Sequence, residues 1–105
     1  MRRRLRETPT PADRKAMTKH LLAVLAEEVP GNSVEVRVPP YAAVLCIPGV
    51  RHTRGTPPAV VETDPETWIA LATGELTWIA AVDSGRVRAS GERSDLSSWL
   101  PVTSD

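Results

Sequence analysis

The sequence predicts an α+β fold, a sheet of about four to five strands with helices packed on one face. Three observations predict it. Apolar residues recur at helical spacing behind hydroxyl or carboxylate caps at Thr10, Asp64 and Thr77. Short apolar or alternating runs of strand length stand at 34–38, 42–47, 59–63 and 87–90. Their order is helix, three strands, two helices, strand, helix. Strands in a run, rather than strict βαβ alternation, indicate a layer of helices on one sheet.

The chain has 105 residues, the length of one domain. A domain of this size buries roughly two thirds of its unfolded surface, enough for one core without staples. The aromatics are Trp68, Trp78, Trp99 and Tyr41, with no Phe. The core must therefore be built from Val, Leu, Ile and Ala, and each Trp is a large part of it.

Residues 1–9 have the composition of a disordered basic arm, residues 10–102 of a single domain, and 103–105 of a short tail. Thr10, Pro11 and Asp13 form a helix start: hydroxyl cap, proline at the first position, carboxylate in the first turn. Met17, Leu21, Val24 and Leu25 follow as one apolar stripe, and Pro30-Gly31 ends the helix. Val34, Val36 and Val38 alternate with Glu35 and Arg37, as in a half-buried strand. AAVLCI (42–47) is continuously apolar and reads as a strand buried on both faces, paired with 34–38 through a Pro-Pro-Tyr turn.

AVVET (59–63) is a third strand, entered through Pro57-Pro58. Asp64-Pro65-Glu66 opens a helix that carries Trp68, Ile69, Leu71 and Ala72 and stops at Gly74. Thr77 caps a helix carrying Trp78, Ile79, Ala81 and Val82, ended by Gly85. VRAS (87–90) is the fourth strand. Ser94 or Asp95 starts a short last helix with Leu96, Trp99 and Leu100, before Pro101.

Net charge is zero but uneven. Residues 1–19 hold seven Lys/Arg against Glu7 and Asp13, a net +5 that the rest of the chain balances. No aromatic residue is interleaved with this arm, so no specific nucleic-acid partner is expected. The arginines open no secretory signal, because TPTPADRKA follows where an apolar stretch would have to stand. LLAVLA (21–26) is too short to span a bilayer, so no transmembrane segment is expected. Cys46 has no partner for a disulfide. These features point to a cytoplasmic protein.

The stretch DPETWIALATGELTWIAAVDSGRVRASG (64–91) resembles the C-terminal half of the sterol carrier protein 2 (SCP2) superfamily. The matching features are Asp64 before a helix, Trp68 and Leu71 inside it, the turn Thr73-Gly74-x-Leu76, then Gly85, a basic-apolar strand and Gly91. From VEVRVPPYAAVLCIPGVRHTRGTPP onward the chain is similar to small bacterial orthologues of that family, over roughly residues 17–102. The resemblance implies an SCP2-like sheet, usually of five strands, with helices over one face and an apolar tunnel between them. Carried over by position, the tunnel walls would be Trp68, Leu71, Ile79, Val82, Leu96, Trp99 and Leu100. The resemblance implies a carrier of a lipid or another apolar small molecule, not an enzyme, and no cofactor.

No catalytic constellation is legible. His20 and His52 fall in different elements, no Cys/His cluster has zinc spacing, and no phosphate-loop glycine pattern follows a strand. GVRHTRGTPP (49–58) is the richest polar stretch. Arg51 and Arg54, with His52 between them, have the chemistry to bind one anionic group, since guanidinium forks take carboxylate or phosphate. A solvated loop pairing its arginines with Glu62, Asp64 or Glu66 is the plain alternative. The sequence thus supports a non-catalytic carrier of a lipid-like molecule. The alternatives are a homodimeric interaction module without a small ligand, and an accessory domain that binds an anionic or thiol cofactor through Arg51, His52 and Arg54.

Overall fold

A computed structural model describes residues 10–49, 58–90 and 95–102. The elements are α1 (Pro11–Glu28), β1 (Val34–Val38), β2 (Ala42–Cys46), β3 (Ala59–Thr63), α2 (Pro65–Thr73), α3 (Trp78–Asp83) and β4 (Val87–Ser90). A single 3-10 turn, Ser97–Trp99, follows. The strands form one four-stranded sheet in the order β2-β1-β3-β4. β1 pairs antiparallel with β2 and parallel with β3, and β3 pairs antiparallel with β4.

The register sorts the side chains. Val36 lies beside Val44 on one side and Val61 on the other, and Val34 beside Cys46 and Ala59. This row set is the buried face. Glu35, Arg37, Ala43, Leu45 and Glu62 alternate onto the opposite face, where Glu35 and Arg37 form an ion pair at 3.6 Å. Leu21, Leu22 and Leu25 of α1, with Trp68, Leu71 and Ala72 of α2, complete the core.

The caps are made as the sequence demands. Thr10 and Asp13 form a reciprocal capping box. Asp64 accepts from the Thr67 N–H at 3.0 Å, and Thr77 from the Ala80 N–H at 3.1 Å. Gly74 closes α2 in the left-handed conformation, φ 88°. The hairpin turn is also as expected, with the Tyr41 N–H donating to the Val38 carbonyl at 2.9 Å.

Three expectations are corrected. The buried stripe of α1 is Thr18, Leu21, Leu22 and Leu25, while Met17 is 43% exposed and Val24 only half-buried. β2 is not buried on both faces: Ala43 is exposed and Leu45 48% exposed on the face opposite the core, and the strand also lies at the edge of the sheet. An apolar run does not reveal which strand ends a sheet. The last helix is only a 3-10 turn in which Leu96 is the buried residue and Trp99 is 39% exposed. Pro101 lacks the N–H that a longer helix would need.

Candidate functional site

The C-terminal end of α2 and the start of α3 build a cleft. Past Gly74, the Glu75 and Leu76 N–H groups both donate to the Ala70 carbonyl, at 2.8 and 3.1 Å. This tight turn swings Leu76 inward and sets Thr77 to cap α3. The C-terminal segment closes the other side. The Val102 N–H donates to the Ala72 carbonyl at 2.9 Å, which satisfies an orphan group of the last turn of α2. Asp95 accepts from the Ser97 N–H at 2.8 Å and orients the 3-10 turn.

The result is a cleft of about 250 Å³ lined by Leu71, Gly74, Leu76, Thr77, Trp78, Ile79, Ser97, Leu100 and Pro101. Among the described residues, none that lines it is charged. Another cleft, of about 280 Å³, lies at the hairpin end of the sheet and is lined by Arg37, Pro39, Pro40, Ala42, Ala43 and Glu62. Its charged and small lining offers an alkyl chain little to hold, so the α2–α3 cleft is the candidate site.

Of the residues named from sequence, Leu71, Ile79 and Leu100 come together here. Trp68 and Leu96 are fully buried in the core instead. The Trp68 Nε1–H donates to the Thr18 carbonyl at 3.3 Å, which ties α2 to α1. Val82 and Trp99 are exposed and do not line the cleft. Arg51, His52 and Arg54 lie outside the described residues. Sequence reasoning passed over Gly74, Leu76, Thr77, Trp78, Ser97 and Pro101 as lining. Gly74, Thr77 and Pro101 carry readable cap and stop signals, and those boundaries are where the cleft forms.

A family model described as "Bacterial SCP ortholog" matches residues 11–102. The chain belongs to this family. Its fold, three α-helices and a four-stranded mixed sheet among the described residues, is SCP2-like. No curated protein matches the chain. No helix among the described residues of this SCP-family chain is long and apolar enough to cross a membrane.

The Cys46 thiol is buried and lines neither of the two clefts described. Burial pushes its pKa up to about 11, so it is protonated at neutral pH and a poor nucleophile. Asp64 is committed to structure. Burial pushes its carboxyl up, but the hydrogen bonds from the Thr67 hydroxyl and N–H outweigh that and hold it below its ordinary value.

Proposed function

We propose that the protein is a non-catalytic carrier that holds the alkyl portion of a lipid or other amphipathic molecule in the α2–α3 cleft. The carrier works in the cytoplasm, where a lone thiol stays reduced. The observation that carries this proposal is the uncharged, largely apolar lining of a cleft made by residues 71–79 and 97–101. Membership of an SCP family supports it.

The cleft volume bounds the ligand. At about 30 Å³ per water-sized group, 250 Å³ takes roughly eight methylenes. Burying them at roughly 0.8 kcal/mol each gives about 6 kcal/mol before the costs of association. Affinity is then no tighter than tens of micromolar unless the cleft widens. The polar group of the ligand stays at the rim, by Ser97 and Thr77.

Titration of alkanoic acids and alkanols of increasing length, followed by tryptophan fluorescence, tests this. Saturable binding should strengthen with each methylene up to about eight and then level off. Ile79 is 68% exposed and lines the cleft, so Ile79→Arg should weaken binding at least tenfold with the fold intact. Absence of saturable binding at any chain length, or binding indifferent to Ile79→Arg, refutes the carrier.

A further inference from the structure

The mouth of the α2–α3 cleft has three sources of negative potential. Glu75 is exposed and stands between Gly74 and Leu76, both of which line the cleft. The Asp95 carboxylate accepts from the N–H of Ser97, another lining residue, at 2.8 Å. Hydrogen bonds from the Ser97 N–H and hydroxyl hold the Asp95 carboxyl below its ordinary value, so it is charged at neutral pH. The third source is the C-terminal end of α2, the negative pole of that helix, with no basic residue in its last turn.

Little among the described residues offsets this. No described Lys or Arg lines the cleft, and neither Glu75 nor Asp95 forms an ion pair with another described residue. α3 begins here with its positive end, but it has only six residues, and Thr77 already accepts from the Ala80 N–H at 3.1 Å. Trp78 is the aromatic member of the lining. The face of an indole ring attracts cations, organic ammonium groups among them. The charge at the mouth and the aromatic residue in the lining therefore favour a ligand of the same sign.

We propose that the cleft selects amphiphiles with a cationic head, of the alkylammonium class, over those with an anionic head. The inference rests on the carrier reading: the alkyl chain fills the cleft, and the head stays at the mouth by Glu75 and Asp95. An ammonium group there is attracted by both carboxylates, whereas the carboxylate of a fatty acid meets like charge. An uncharged alcohol feels neither effect. Chain length then sets how tightly a ligand is held, and head charge sets which ligand is held.

Octylammonium, octanol and octanoate test the proposal, because they differ chiefly in the head. At about pH 7 the first is cationic and the last anionic. Titrated against the full chain at about 10 mM salt, where charges act over about 30 Å, the amine should bind best, then the alcohol, then the acid. At least tenfold should separate amine from acid. At about 1 M salt, where the screening length is about 3 Å, that ratio should fall toward one. Octanol should compete with the amine, which places both in one cleft. Glu75→Lys should bring the low-salt ratio to one or below, with circular dichroism as the check on folding. Should that variant not fold, the salt series and the competition decide. If none of the three ligands binds, the carrier reading falls and this proposal with it. If the alcohol binds but the amine is held no tighter than the acid, the carrier stands and head-group selection is overturned. A preference that persists undiminished at high salt or in Glu75→Lys, or an amine that octanol does not displace, overturns it as well.

Discussion

Asp64 concentrates several tasks in one side chain. Its Oδ2 accepts from the Thr67 N–H at 3.0 Å and its Oδ1 from the Thr67 hydroxyl at 2.7 Å, at the junction of β3 and α2. Asp64→Ala should cost about 1 kcal/mol of unfolding free energy, the usual loss of a cap, and Asp64→Asn less. The carboxyl pKa is lowered in the fold, so its contribution is complete above the unfolded value, near 3.9. It is lost as pH falls through the lower folded value. Urea denaturation of the protein and Asp64→Ala should therefore give a constant difference from neutrality to about pH 5, shrinking below about pH 4. A difference that persists undiminished at the acid end would show that the carboxylate charge contributes nothing. Gly31 is demanding in another way. A Cβ there would collide with the Ile47 carbonyl, which also accepts from the Ser33 N–H at 3.1 Å and the Ser33 hydroxyl at 2.5 Å. No signal in Pro30-Gly31 beyond a helix stop announced this contact, because its partner is sixteen residues away.

At the scale of elements, α1 shows what periodicity can and cannot decide. Met17, Leu21, Val24 and Leu25 make a plausible stripe, yet the face that docks is rotated toward Thr18 and Leu22. Both stripes obey helical spacing. The choice between them depends on α2, whose Trp68 donates to the Thr18 backbone and draws that side of α1 inward. Leu22 is fully buried and Met17 is not. Leu22→Ala should thus cost about 2–5 kcal/mol, and Met17→Ala within about 0.5 kcal/mol. Equal effects in denaturant titrations would return the stripe to Met17. The α2 and α3 helices were legible nearly to the residue, because Asp64, Gly74 and Thr77 are local caps whose chemistry needs no neighbour. The segment after β4 was not, since a 3-10 turn held by Asp95 and Val102 takes its shape from α2.

At the scale of the molecule, a carrier predicts linkage between ligand and stability. A ligand held only by the folded chain at ten times its Kd should add about 1.4 kcal/mol, a rise of several degrees in Tm for a domain this size. Differential scanning fluorimetry with an octyl-length acid should show that rise, and Ile79→Arg should remove it. An unchanged Tm would mean that the folded chain does not bind such ligands in preference to the unfolded one, and a lowered Tm that the unfolded chain binds them better. The sequence by itself determined the element order, the caps, the β1–β2 hairpin and the α+β class, because each rests on contacts within a few residues. Its motifs also carried the family resemblance. Only the tertiary structure decided that β2 is an edge, that Trp68 and Leu96 belong to the core, and that Leu71, Ile79 and Leu100 share a cleft. Those outcomes depend on which faces meet across the fold, and apolar residues facing a core and apolar residues facing a cleft follow the same periodicity.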